Sequence, residues 1–313
     1  MTDRKLRLDA VAAGTLLFCC AVWGLGQVAS KVALAEIPPL MQVAARSLGA
    51  ALLVALWAHA RGIRLFERDG TLVAGLLCGA LFAVEFGCIF IGLTHTSASR
   101  MVVFVYLSPF VVALGMPLIA RSERLDGWQV LGLVAAFSGV AWAFAEGFQR
   151  PSAGDRQWLG DALGVAGAVF WGATTLVIRG SRLSQAAPEK TLLYQLILAA
   201  VLLGLASWLA GERWPAAPGA LSLLSLAFQT LVVCFASYLL WFWLVRHYPA
   251  TLLSAFTLLT PVFGLLAGVA LLGEPMTLRL LTALAAVAVG IYLVSRVRRI
   301  GPLAPAPRGQ VPE

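Results

Sequence analysis

Charge is what this sequence has least of. Only 12% of its 313 residues are Asp, Glu, Lys or Arg, about half the share found in soluble domains. Histidine occurs three times, at His59, His95 and His247, each near the edge of an apolar run. An intramembrane enzyme needs a nucleophile beside a base, or clustered His and acidic ligands, and the chain offers neither at helical spacing. A glycine-rich phosphate loop of the Walker type is also missing, which argues against an ATP-driven pump. No cofactor is expected. The five cysteines, Cys19, Cys20, Cys78, Cys88 and Cys234, all lie inside apolar runs and read as small buried hydrophobes, not as a disulfide framework or zinc site.

The rest of the chain is apolar: 60% hydrophobic residues and a mean hydropathy of +0.87. An all-α polytopic membrane protein is expected. A span needs about 20 apolar residues, and ten candidates appear, at 10–34, 39–58, 71–94, 97–119, 127–146, 160–179, 190–210, 221–245, 250–272 and 277–295. The first run follows Arg4, Lys5 and Arg7 but is too long for a signal peptide, so it is expected to stay in the fold. The proline-rich tail after Arg299 is expected to be disordered.

The net charge of +8 does not form a nucleic-acid-binding patch, because the basic residues sit in the gaps between runs. With a cytoplasmic N-terminus, sixteen Lys and Arg fall inside and six outside: Lys31, Arg100, Arg150, Arg156, Arg213 and Arg279. The positive-inside rule therefore places both termini in the cytoplasm. The expected partners are the lipid bilayer and a small molecule, with no nucleic acid.

The chain also repeats itself. Residues 97–123 read SASRMVVFVYLSPFVVALGMPLIARSE, and 249–274 read PATLLSAFTLLTPVFGLLAGVALLGE. Ala98 lies over Ala250, Ser108 over Thr260 and Pro109 over Pro261, while Glu123 matches Glu274 after a one-residue slip. Trp23-Gly24 precedes Lys31 by the same spacing that separates Trp171-Gly172 from Arg179. Five spans per copy is an odd number, so the second copy enters from the opposite side: two inverted five-helix repeats, 1–150 and 151–313.

These residues resemble the drug/metabolite transporter superfamily, specifically its EamA-type ten-helix members. The likeness rests on Trp23, Gly24 and Lys31, on Arg46, on the run Thr96 to Ser99 with Pro109 and Glu123, and on the second set Pro249-Ala250, Pro261 and Gly273-Glu274-Pro275. The resemblance implies secondary transport of a small metabolite, often export of amino acids or related compounds, through a cavity between the repeats. An uptake carrier or a multidrug pump of the same fold is the alternative, and an intramembrane enzyme a further one. A bacterial inner membrane is the expected location.

Pro109 and Pro261 each lack an amide and displace the carbonyl four residues back, so each marks a hinge or broken helix beside the cavity or, on the plainer reading, a static kink. The eighth span aligns Thr230, Cys234, Ser237, Tyr238 and Trp241 on one helical face. Trp23, Gln27, Pro109, Trp171, Thr174, Ser237, Trp241 and Pro261 are expected to approach one central space. Arg46 and Glu85 are charges at membrane depth on consecutive spans. One reading makes them a structural ion pair. The other has Glu85 facing the cavity, exchanging a proton or binding a substrate ammonium. At the repeat offset Glu85 corresponds to Ser237.

Overall fold

A computed structural model describes residues 10–65, 67–119, 127–149, 154–247, 257 and 259–294. Glu123, Pro249-Ala250 and the tail after Arg299 lie outside the described residues. The helices run α1 (Ala10–Ala33), α2 (Pro39–Ala60), α3 (Leu72–His95), α4 (Ala98–Val105), α5 (Ser108–Ile119), α6 (Gly127–Gln149), α7 (Gln157–Arg179), α8 (Pro188–Leu209), α9 (Ala220–Phe228), α10 (Tyr238–His247), α11 (Leu259–Leu272) and α12 (Leu278–Val294). A π-helical stretch, Gln229–Ser237, joins α9 to α10. No strand occurs among the described residues. Seven segments are long and apolar enough to cross a bilayer: 10–33, 39–60, 72–95, 98–119, 157–179, 188–209 and 220–241. Three shorter apolar helices cover 130–143, 259–272 and 278–290.

Local chemistry sets the boundaries. Pro39 and Pro188 open α2 and α8, where a missing amide costs nothing. The Ser97 hydroxyl caps α4 by accepting from the Arg100 amide at 3.2 Å. The segment 98–119 is broken ahead of Pro109, as the proline predicts. The α-helical pattern stops at Val105, whose carbonyl Pro109 would crowd, and the Leu107 amide turns instead to the Phe104 carbonyl at 3.1 Å. The break expected before Pro261 falls largely outside the described residues, and Pro261 itself is buried near the start of α11.

Small residues decide which helices meet. A Cβ on Gly24 would lie 2.6 Å from the Gly264 amide nitrogen, so α1 packs backbone to backbone on α11. A Cβ on Gly172 would lie 2.6 Å from Val111, where α7 packs on α5. The glycine of each Trp-Gly pair thus seats its helix on a proline-bearing segment from the other half of the chain. Gly75 and Gly79 admit Tyr194 and Leu198 of α8 against α3 in the same way. Leu52, Leu56, Val73, Leu118, Val201 and Trp208 cover the outside, a surface suited to lipid and not to water. Adding a methyl at Gly24 must move backbone, whereas Gly14 has nothing within 4 Å. Gly24→Ala is expected to destabilise the detergent-solubilised protein by about 1–3 kcal/mol, and Gly14→Ala to leave its melting temperature unchanged or slightly raised, as read by fluorescence-detected size exclusion after heating.

Candidate functional site

Polar bonds close the bundle at its two rims. At one rim Arg100 at the start of α4 grips Asp161 of α7, with Nε on Oδ1 at 3.1 Å and Nη2 on Oδ2 at 2.6 Å. The Arg100 Nη2 also donates to the Ala143 carbonyl of α6, and the Thr96 hydroxyl donates to Asp161 at 2.7 Å. Both charged side chains are buried, at 3% and 0% exposure. The Glu274 carboxylate accepts from the amides of Ala98 and Ser99 and from the Ser99 hydroxyl, at 2.5–2.9 Å. It therefore sits at the N-terminus of α4, where backbone amides and the helix dipole favour an anion. Lys31 donates to the carbonyls of Leu93 and Thr96 at the end of α3. Glu36 accepts from the Gly219 amide, and Glu212 from those of Leu40 and Met41.

At the opposite rim Lys190 of α8 donates to Asp69 at 2.8 Å and to the Glu67 carbonyl. The Thr71 hydroxyl also bonds Asp69, at 2.6 Å. The Lys190 ammonium first, then Thr71, hold the Asp69 carboxyl well below the usual carboxylate range.

Between the rims the pattern changes. The indole Nε1 of Trp23 donates to the Ser237 hydroxyl at 2.8 Å, and Trp23 meets Trp241 edge-on at 5.3 Å between ring centroids. Ser237 closes the π-helical stretch, a departure from α geometry that recurs at functional sites. Tyr106, in the break between α4 and α5, meets Trp171 edge-on at 5.6 Å. Gln42 donates to the Ser30 carbonyl, and the Ser30 hydroxyl reaches Gln229 at 3.3 Å, which links α2, α1 and the π-helical stretch. Arg46 is 3% exposed, with its guanidinium carbon 4.3 Å from the ring centre of Phe86 and 4.5 Å from that of Phe90. Several buried polar atoms here have no hydrogen-bond partner: Nε and Nη2 of Arg46, Oε2 of Glu85, Oγ of Ser47, Oε1 of Gln27 and Gln42, and Nε2 of Gln229.

Trp23, Ser237 and Trp241 thus meet directly. Trp171 touches Tyr106, and Pro109 lies half-buried beside the same break. Gln27 keeps a buried, unpartnered oxygen. Thr174 is buried with its hydroxyl on the Phe170 carbonyl of its own helix, and its backbone oxygen accepts from Cys78 of α3, so it belongs to the α3–α7 contact. Among the described residues Arg46 and Glu85 make no ion pair within 4.0 Å, and the Arg46 guanidinium carbon lies over the rings of Phe86 and Phe90. Asp161, Gln42 and Ser47 went unremarked in the sequence. Asp161 carried a signal, as a carboxylate at the start of an apolar run with Arg100 at the same rim.

An all-helical bundle with seven segments long and apolar enough to span a bilayer is the architecture of a polytopic membrane protein. The chain belongs to the EamA-like transporter family, whose model matches residues 11–145 and again 158–296. It is 29% identical over 289 residues to the uncharacterized transporter YvbV of Bacillus subtilis, covering 90% of each chain. It is 23% identical to the uncharacterized inner membrane transporter YedA of Escherichia coli over 93% of each. An uncharacterized transporter of Archaeoglobus fulgidus is 29% identical over 88% of this chain and 95% of its own. One solved crystal structure shares the fold with a TM-score of 0.66 at 19% identity, covering 91% of this chain and 96% of that one.

Two outcomes are expected at the rims. Asp161→Asn strips a buried Arg100 of its counter-charge and should cost about 3–5 kcal/mol, part of it recovered when Arg100→Gln is added, as measured by chemical unfolding in detergent. For Asp69, a folded-state pKa below the unfolded value means a contribution present above about pH 4 and lost as pH falls further. Asp69→Asn should therefore lower the melting temperature from pH 5 to 8. The gap to the parent protein should then shrink as the medium is taken below about pH 4.

Proposed function

We propose that this chain is a secondary transporter that moves a small metabolite by alternating access, exporting amino acids or related compounds. The observation that carries the proposal is the group of unpartnered buried polar atoms on α1, α2, α3 and the π-helical stretch. Each such atom costs about 1–3 kcal/mol when left unpaired, and a polar solute would supply the missing partners. The three shorter apolar helices cross the bilayer with the seven longer ones, giving ten spans in two inverted repeats, 1–150 and 151–313. The double match to one family model supports this, as does the reciprocal seating of α1 on α11 and α7 on α5. Both termini face the cytoplasm of a bacterial inner membrane, which makes the rim of Arg100, Asp161 and Glu274 the outer one. Its bonds tie that side shut, and the breaks at Tyr106 and at the π-helical stretch give the helices places to bend.

Glu85 is the proton-linked group in this scheme. It is 4% exposed, carries a buried unpartnered oxygen and makes no ion pair, so protonation is the direct way to relieve its charge. In proteoliposomes, Glu85→Gln is expected to leave assembly intact while abolishing the response of amino-acid exchange to an imposed pH gradient. A variant with the parent protein's full pH response would remove Glu85 from the coupling step. No exchange of any amino acid by the parent protein would remove the amino-acid carrier reading.

A further inference from the structure

The chain contains two buried arginines whose surroundings differ in one respect. Arg100 presents Nε and Nη2, the two N–H groups on one edge of the guanidinium, to the two oxygens of the Asp161 carboxylate. That is the fork geometry in which planar guanidinium and carboxylate match best. Arg46 is as deeply buried, at 3% exposure, and the same two nitrogens, Nε and Nη2, have no partner. Its flat face is held by Phe86 and Phe90. The two rings lie against the guanidinium, and its Nε–Nη2 edge is buried without a partner. Phe86 and Phe90 are one turn apart on α3, so a single helix sets this orientation.

Glu85 adjoins Phe86 in sequence but does not fill the open edge, and its own Oε2 is unpartnered. The site therefore holds one cation and one ionisable acid, each with unmet hydrogen-bonding capacity. Ser47 Oγ and Gln229 Nε2 add unpartnered donors, and the oxygens of Gln27 and Gln42 unpartnered acceptors. A phosphate monoester would bring about two negative charges to a single arginine with an acid close by. A single carboxylate matches the fork in both shape and charge.

Resting on the transport reading above, we propose that Arg46 is the residue that anchors the transported molecule, by receiving its carboxylate on the Nε–Nη2 edge, with Glu85 taking a hydrogen-bond donor from the same molecule. The substrates are then compounds that pair a carboxylate with a nearby donor group, and Arg46 is what separates them from amides and amines of the same body.

The test uses the full-length protein in nanodiscs and in proteoliposomes. The probes are L-leucine, L-phenylalanine and L-threonine, each beside its primary amide, with acetate as the minimal carboxylate. Binding is read by calorimetry, and transport by counterflow. On the parent protein, acids should bind at least tenfold more tightly than their amides, and acetate should compete with them. Arg46→Gln should bring the acids down to the level of the amides. Arg46→Lys, which keeps the charge and loses the fork, should recover only part. Arg64→Gln, at an exposed position, should behave like the parent. Equal binding of acids and amides by the parent protein overturns the proposal, and that measurement stands even where Arg46→Gln fails to fold. So does an Arg46→Gln protein that keeps its preference for acids, or no binding of any acid. If amides cross the membrane as fast as acids, the carboxylate anchor falls and the carrier reading stands. If nothing in the panel crosses, the amino-acid carrier reading falls as well.

Discussion

Lipid offers no hydrogen bonds, and every other feature of this protein follows from that. A backbone amide or a charge in the middle of the bundle must find its partner within the chain. Helices meet the demand for the backbone, and side chains meet it by bonding backward, as Ser30, Thr174, Thr230 and Ser237 do to the carbonyl four residues before each. With polar groups so constrained, helix association is left to close contact. That is why Gly24 stands where two backbones touch and Gly172 where the Val111 side chain presses on α7.

The same constraint is met differently at two buried pairs of charges. Arg100 and Asp161 are as buried as Arg46 and Glu85, yet the first pair is fully engaged in direct bonds and the second is not joined at all. Burial alone therefore does not explain the open edge of Arg46. Arg46 has the rings of Phe86 and Phe90 against its guanidinium where Arg100 has a carboxylate. A cation over an aromatic face gains about 2 kcal/mol or more when desolvated, which offsets part of the several kcal/mol that burying the guanidinium costs.

Much of this was legible in the sequence, and the limits were physical. Apolar runs and punctuation gave the helices, because in lipid a span has to be long and nearly continuous. Pro109 announced a break, since a missing amide four residues from a carbonyl has a fixed consequence. The spacing of Ser237 and Trp241 placed both on one face, and they meet Trp23 there. Depth along a helix also followed from counting, and it put Arg46 and Glu85 at nearly the same level. Counting does not give rotation, however, and rotation decided whether the two charges touched. Thr174 illustrates the same limit, turning toward α3 with its hydroxyl on its own helix. The π-helical stretch left no mark at all, because Gln229 to Ser237 has an ordinary apolar composition and the extra residue per turn arises from tertiary packing.

The proposed alternating access turns the rim bonds into an energetic question. Opening the rim at Arg100 means withdrawing the amides and hydroxyl of Ala98 and Ser99 from Glu274, and the carbonyls of Leu93 and Thr96 from Lys31. Hydrogen bonds to charged groups contribute roughly 1.5–3 kcal/mol each, so opening is feasible only if water replaces most of them as they part. A rim is where water can do so; the centre of the bundle is not. Arg100 and Asp161 are less easily hydrated, being almost without exposure, and separating them would leave two uncompensated charges. The arrangement that fits the proposed mechanism keeps this pair intact, with α4 and α7 moving together, and parts the capped contact at Glu274 and the lysine contact at Lys31. Tyr106, at the end of α4, meets Trp171 of α7, so this aromatic contact lies within that unit.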